Sequence, residues 1–305
     1  KCFYEGLPTN IIERYLSKIN KMGGRIRVGS QRLEMLSNNL IRMIADSGQR
    51  KLVIAPECSA NLRRVIGKET ILDDDILDFG SPNMKYNPIS GILYFILGLP
   101  GEEIADINEI INLIKNVRCV MDQSGDTEGQ LEIGINPLYP KPWTALQYAR
   151  ACKPEEAEKK LKYIVNDLLQ SYNASIATDV VDEKVERRSH TLKNSPIKIE
   201  TTIGTVIPYS QPILSRGGKE LSNVLEYVYR KGDMIKTWKE AIKKYGLNEN
   251  NYFREYDINE KLPWDFQRCL VKKRHLKAEY ILSLNKKPTT PCICNCRKCA
   301  DRCII

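Results

Sequence analysis

The residues with the clearest chemical potential are cysteines grouped between positions 292 and 303. Five of the ten cysteines lie in this span: Cys292, Cys294, Cys296, Cys299 and Cys303. Four thiolates within reach of one centre are typical of tetrahedral zinc or of an iron–sulfur cluster. The spacing predicts a metal site formed by Cys292, Cys296, Cys299 and Cys303, with Cys294 as an additional thiol, and it leaves the metal open. Free thiols are the alternative interpretation.

A second candidate site surrounds Glu57. The apolar run 52–55, ended by Pro56, predicts a buried strand. The apolar spacing then changes to that of a helix, which Ser59 can cap and Gly67 can end. Glu57 therefore follows a buried strand, at the position where α/β proteins bind ligands. The alternative is a structural turn that carries a surface glutamate.

The first half of the sequence repeats this strand–loop–helix order. We predict strands at 25–28, 52–55, 91–98 and 131–135, and helices at 8–22, 33–44, 59–67, 70–79 and 104–117. Ser30, Gly98 and Asn136 each follow one of these strands. Regular repeats imply parallel strands with right-handed crossovers, and four strands are too few to close a barrel.

The second half is expected to be mostly helical. Helices are predicted at 154–172, 219–230, 234–245 and 271–284, with a β-branched, strand-like segment at 197–207 and a linker or irregular segment at 173–196. Trp238 and Trp264 are interpreted as core anchors. The fold class is therefore α/β in the first half, with a mostly helical α+β extension.

Several motifs together resemble the radical S-adenosylmethionine (SAM) superfamily. These are Ala55-Pro56-Glu57 with Asn61 to Lys68, Tyr94 to Glu102, Asn136 to Thr144, Leu214 to Gly218, Leu262 to Asp265 and Thr289 to Cys292. In particular, the chain is similar to large uncharacterised proteins with a cobalamin-binding-like N-terminal domain. The resemblance implies a partial (βα)6 barrel over 1–150 (strands three to six), an extension over 151–288 and a cysteine-rich metal-binding tail over 289–305.

The resemblance also implies roles for individual residues in binding SAM. Glu57 and Ser59 would face the ribose and the methionyl group, and Lys68 would meet the SAM carboxylate or, alternatively, the carboxyl end of its own helix. Ser30 would line the pocket and Gly98 would allow close backbone approach. Asn136 and the following segment 137–142 would pass the adenine.

The family holds its iron–sulfur cluster on a Cys-x3-Cys-x2-Cys loop after the first barrel strand. That loop, the first two strands and the cobalamin-binding domain are not found before residue 8. We expect a preceding segment or a partner polypeptide to supply them, and with them any cobalamin. Cys292, Cys296 and Cys299 repeat the spacing literally, but their position matches the family's tail, so an auxiliary metal is expected there. The implied function is a radical SAM enzyme in incomplete form, of unknown substrate and reaction.

Composition supplies the competing hypothesis. With 47 lysines and arginines against 38 acidic residues, the formal charge is +9, spread diffusely along the chain. A non-catalytic, metal-containing interaction or RNA-binding protein is therefore the alternative function. We find no apolar run of about 20 residues and no secretory signal, so a cytoplasmic protein without a membrane partner is expected.

Overall fold

The structure, a computed structural model, describes residues 9–25, 27–29, 33, 36–49, 51–79, 90–123, 130–182, 187–193, 197–267 and 269–288. The strands are β1 (Lys51–Glu57), β2 (Ser90–Leu97), β3 (Leu131–Pro137), β4 (Ser175–Asp182), β5 (Arg187–Lys193) and β6 (Ile197–Thr201). The helices are α1 (Thr9–Lys21), α2 (Asn38–Asp46), α3 (Asp73–Phe79), α4 (Ile104–Gln123), α5 (Pro154–Ser171), α6 (Ile207–Arg216), α7 (Ser222–Lys231), α8 (Ile235–Lys244), α9 (Asn250–Phe253) and α10 (Lys273–Leu284). Ser30 and the cysteine-rich segment 289–305 lie outside the described residues.

The strands form one sheet in the order β1-β2-β3-β6-β5-β4. The first four in this order are parallel to their neighbours, as the repeats predict. β4 and β5 add an antiparallel hairpin beside β6. Within the described residues the sheet does not close into a barrel, and it continues across the predicted domain boundary at residue 150.

Alternation along the strands gives the sheet two different faces. One face carries fully buried aliphatic residues, among them Ile54, Leu93 and Ile133, which stand side by side in the strand register. Helices α1 to α5 cover this face and form the largest core with it. The opposite face is only half-buried and includes Val53, Tyr94 and Glu200. Because these helices cover only one face, the other face remains accessible, and the candidate site lies beside it.

Two predictions about strands need correction. The segment 173–196, expected to be a linker, contains β4 and β5, because its alternation of polar and β-branched residues suits an edge hairpin. No strand is assigned to residues 25 and 27–29. The Val28 backbone is instead bonded to the Gln49 side chain. Val28 N donates to Gln49 Oε1 at 2.8 Å, and Gln49 Nε2 donates to Val28 O at 3.1 Å.

Helices α6 to α9 enclose a second core around Trp238, which is 2% exposed. A third core, which contains Trp264, joins the carboxyl end of the sheet to α10. Both tryptophans are thus core anchors, as predicted. The segment 197–207 is a strand only as far as Thr201, and the helix α6 that follows was not predicted.

A 3₁₀ turn, Ala145–Tyr148, lies between β3 and α5 and is bonded to later parts of the chain. The Oε1 atom of Gln147 accepts hydrogen bonds from the indole of Trp264 at 2.8 Å and from the backbone of Trp143 at 3.0 Å. The Tyr148 carbonyl accepts from Tyr256 N at 2.8 Å. Among the described helices, none is both long and apolar enough to cross a bilayer.

Candidate functional site

Three of the predicted site residues lie at one edge of the sheet. Glu57 ends β1, Gly98 follows β2 and Asn136 lies near the end of β3. The register pairs Glu57 with Phe95 and Leu97 with Pro137, so the three carboxyl ends are adjacent. This is the edge at which parallel sheets bind ligands.

Glu57 has an unusual backbone conformation. Its φ is +69°, in the left-handed region that residues with a Cβ rarely adopt, and the pairing of β1 with β2 is irregular between Ile54 and Glu57. The bulge turns the glutamate out of the regular strand alternation at its last residue. Backbone strain of this kind is often found at functional sites.

Lys68 is the immediate partner of Glu57. Its Nζ donates to Glu57 Oε1 at 2.8 Å and to the Ala55 carbonyl at 2.9 Å. Both side chains keep some exposure, 33% for Lys68 and 19% for Glu57. The lysine therefore turns back to β1 and the glutamate, and its third N–H remains as a donor.

Asn136 connects the end of β3 to the turn after β6. Its Oδ1 accepts from Thr202 N at 3.0 Å and from Thr202 Oγ1 at 2.8 Å. The Tyr139 hydroxyl shares a 2.8 Å hydrogen bond with the same threonine oxygen. The carboxyl ends of β3 and β6 are thereby fixed, and the Nδ2 group of Asn136 has no bond to another described residue.

The half-buried face below this edge is lined by polar groups. The Tyr94 ring lies against Gly134, where any Cβ would come within 2.4 Å of the ring carbons. Glu132 pairs with Lys51, and Glu200 accepts from Lys198 at 2.7 Å. This face carries far more charge than the helix-covered face, as expected of a face that is accessible to solvent and solutes.

Ser59 lies on the helix-covered side of the sheet and is 2% exposed. Its hydroxyl donates to Asp106 Oδ1 at 2.5 Å and accepts from Leu62 N at 3.3 Å, as expected of a cap. Asp106 Oδ2 in turn accepts from Glu103 N at 2.8 Å, at the start of α4. The structure thus assigns Ser59 a structural partner, and its role as a SAM contact stays a prediction.

The need for a glycine at position 98 is also explained by a neighbouring residue of the protein. Its φ is +85°, and an added Cβ would lie 2.6 Å from Cys152 Cβ. The close backbone approach expected at this glycine is therefore made by Cys152, which is fully buried. Burial raises the pKa of the Cys152 thiol to about 12, so this cysteine is inert at neutral pH.

The loop after β2 is held by buried ionic residues. Glu102, with its side chain 2% exposed, accepts from Gly98 N at 2.9 Å and from Lys160 Nζ at 2.6 Å. Lys160 also donates to Glu156 at 2.6 Å, and Glu156 is bound by Arg150. Burial raises the pKa of Glu102, whereas the hydrogen bond from Arg150 lowers the pKa of Glu156 to about 2.

The sequence did not identify Thr202, Gln147 or Lys160 as site residues, although their hydrogen bonds hold the loops at this edge of the sheet in place. The local pattern around each of the three predicts only secondary structure. What marks them is a hydrogen bond to a residue more than 50 positions away in the sequence. In the described ranges, no group of three or more histidines, cysteines or acidic residues could hold a metal ion.

A comparison with known proteins finds similarity to an uncharacterized protein. The chain is 30% identical over 210 residues to the uncharacterized protein MJ0966 of Methanocaldococcus jannaschii. The match covers 68% of this chain, and the chain spans 39% of the relative's length. No family model matches the sequence.

Proposed function

We propose that this chain forms the SAM-binding side of a radical SAM enzyme, with a partial (βα)6 barrel as its fold. The observation that supports this proposal best is the position of Glu57, Lys68 and Asn136. Glu57 and Asn136 lie at the carboxyl ends of β1 and β3, the two parallel neighbours of β2, and Lys68 reaches the same edge through its bond to Glu57.

The side chains at this edge fit the chemical groups of SAM. The Glu57 carboxylate can accept from ribose hydroxyls or from the ammonium group, because only one of its oxygens is bonded to Lys68. Lys68 has one N–H left for the carboxylate, and Asn136 Nδ2 can donate to an adenine nitrogen. Ser59 and Gly98 support the edge from the helix side and are not included among the contacts.

When bound to a reduced iron–sulfur cluster, SAM supplies a 5′-deoxyadenosyl radical that abstracts hydrogen from a substrate. The residues of this chain bind and orient the organic part of the cofactor. The bond from Lys68 holds the Glu57 carboxylate at the strand end, and the bonds between Asn136 and Thr202 hold the amide in one orientation. Such fixed donors and acceptors position a cofactor without reorganisation.

The cluster requires three cysteines close together, and the described residues contain no such group. We propose that a Cys-x3-Cys-x2-Cys loop, with the first two barrel strands, comes from a segment outside these 305 residues or from a partner chain. β1 is the edge strand of the described sheet, so a further strand has a place to pair. Cobalamin would enter only through that additional part.

The tail cysteines Cys292, Cys296, Cys299 and Cys303 are proposed to hold an auxiliary metal. Metal and sulfide analysis of the anaerobically purified chain would identify it. Iron with acid-labile sulfide would indicate a cluster, zinc without sulfide would indicate a structural zinc site, and no bound metal would contradict the proposal.

Binding of S-adenosylhomocysteine tests the site without any redox chemistry. The chain is co-purified with a candidate N-terminal half, and affinity is measured by calorimetry. We expect Glu57→Ala and Lys68→Met to weaken binding by about tenfold or more, the value of one charge-assisted hydrogen bond.

Lys51→Met is the matched control. Lys51 also pairs with a glutamate on the open face, Glu132, but at the start of β1. Its removal should leave the affinity unchanged. Equal losses in the Lys51 and Lys68 variants, or no binding by the co-purified pair, would contradict the proposal.

A further inference from the structure

Two neighbouring cavities lie beyond the end of β3, next to the site already described. The inner cavity, about 350 Å³, lies between the turn at Gly67 and the loop 138–146, with Arg64, Lys141 and Glu279 among its lining residues. The outer cavity, about 650 Å³, lies between the end of α6 and the segment 263–267.

The two cavities adjoin at one contact. Lys141 lines the inner cavity, and its Nζ donates to Ser215 Oγ at 2.7 Å, a residue that lines the outer one. Pro142, the next residue along the chain, lines the outer cavity as well. The two cavities therefore form one groove, with the Lys141–Ser215 contact between its two parts.

The groove contains cations that lack acidic partners. Arg64, Lys141 and Lys219 form no ion pair with a described residue, and Lys141 donates only to the neutral oxygens of Ser215 and Gln211. Of the two glutamates that line the groove, Glu220 is bound to Gly218 N at 2.8 Å, and Glu279 lies 3.9 Å from His275 Nδ1. The groove is lined by three cations and two glutamates, so its net charge is +1, which favours an anionic occupant.

The groove also exposes flat and apolar surface. Phe266 is 79% exposed, and Leu214, which lines the same cavity, is 45% exposed. Tyr139 lines the inner part, and its ring lies 6.0 Å from the Lys141 ammonium. An exposed aromatic ring beside unpaired cations is the combination that binds stacked bases and phosphates.

We propose that this groove binds single-stranded nucleic acid. Phosphates would contact Arg64, Lys141 and Lys219, and a base would stack on Phe266. The exposed Phe266 ring offers a stacking surface, which favours a nucleic acid over an acidic peptide, because a peptide offers charge but no obligatory flat surface. Through Tyr139, Thr202 and Asn136 the groove adjoins the candidate SAM site.

This inference names the substrate class of the proposed enzyme and rests on that function for its biological meaning. Its test does not, because nucleic-acid binding needs neither SAM nor a metal. Fluorescence anisotropy of the full chain is measured with fluorescein-labelled 12-nucleotide oligouridylate and oligodeoxythymidylate, between 50 and 200 mM salt. Tighter binding of one of them would distinguish RNA from DNA as the ligand.

Two sets of variants separate phosphate from base contacts. The triple variant Arg64→Gln, Lys141→Gln, Lys219→Gln should reduce the slope of log affinity against log salt by about 2, since each phosphate contact contributes roughly 0.7. Phe266→Ala should weaken binding about tenfold with the slope unchanged, the effect of one lost stacking contact. Circular dichroism and thermal melting confirm that each variant is folded, and Lys141→Arg should bind as the wild type does.

Matched controls lie elsewhere on the surface. Lys236→Gln removes a cation that is 86% exposed on α8, and Tyr229→Ala removes a ring that is 91% exposed on α7. Both should leave binding unchanged. The proposal is overturned by groove variants that bind like the wild type, by controls that lose as much affinity, or by an oligoglutamate of equal charge that competes as well as the oligonucleotide.

Discussion

The substitution Lys160→Met tests how the loop after β2 is held. The Nζ of this lysine donates to Glu102 and to Glu156, each at 2.6 Å, and Glu102 is almost fully buried. The two carboxylates outweigh burial and raise the pKa of Lys160. Methionine fills similar space but leaves the buried carboxylate with one hydrogen bond, from Gly98 N.

The expected cost is about 3 kcal/mol at pH 8, the lower end of the range for removing one partner of a buried ion pair, because Lys160 is 22% exposed. The cost should shrink as pH falls. Burial raises the pKa of Glu102 in the folded chain, and loss of the lysine raises it further. A carboxyl group whose pKa is raised on folding contributes stability below its unfolded pKa and loses it as pH rises through the folded pKa.

Urea unfolding at pH 5 and pH 8 measures the difference, with Lys160→Met/Glu102→Gln as the control. The double variant has no buried charge to desolvate, so it should recover much of the loss and show a weaker dependence on pH. Equal stability of the single and double variants at both pH values would refute the reasoning.

Three further substitutions have expected outcomes that urea or thermal unfolding can check. Arg216→Met should cost about 3 kcal/mol, because this fully buried guanidinium donates to the carbonyls of Tyr252 and Arg254 at 3.1 and 2.8 Å, and each carbonyl left unpaired costs roughly 1–3 kcal/mol. His190 is buried and its pKa is lowered by that burial, so the wild type should lose stability as pH falls from about 6.5, and His190→Leu should remove this component. Gly98→Ala should cost about 2 kcal/mol or more, since the new methyl group meets Cys152 at a positive φ, and an unchanged melting temperature would contradict the close packing seen there.

The parallel part of the fold could be predicted from the sequence because its pattern is local. Apolar runs such as 52–55 and 91–97, each followed by helical spacing, determine both the strand and its position between helices. The helix predicted over 59–67 is only a 3₁₀ segment, Leu62–Ile66, and Gly67 ends it at φ +68°, as its residue type suggests. The hairpin of β4 and β5 was not predicted because the apolar alternation of its strands is weak. These strands are defined by their pairing with each other and with β6.

The candidate site was only partly predictable for the same physical reason. A residue at the end of a predicted strand is expected at the carboxyl edge of the sheet, and Glu57 and Asn136 do lie at that edge. Which side of the edge a residue faces depends on distant partners. Ser59 turns to Asp106, and Gly98 packs against Cys152, because helices from later in the chain cover that side.

The ion pair between Glu57 and Lys68 shows the limit of interpreting residues singly. Each was assigned separately to the cofactor, and the structure places them 2.8 Å apart. A pair of this kind orients a carboxylate for a ligand, but spacing alone does not distinguish the pair from two separate contacts.

The most direct measurement is formation of 5′-deoxyadenosine from SAM. The chain is co-expressed with a candidate N-terminal half that carries the cluster loop, reconstituted anaerobically with iron and sulfide, and reduced with dithionite. We predict SAM-dependent product from the pair, none from either half alone, and at least a tenfold loss in Glu57→Ala with Lys51→Met unaffected. A reconstituted pair that holds its cluster and forms no 5′-deoxyadenosine would contradict the proposed function.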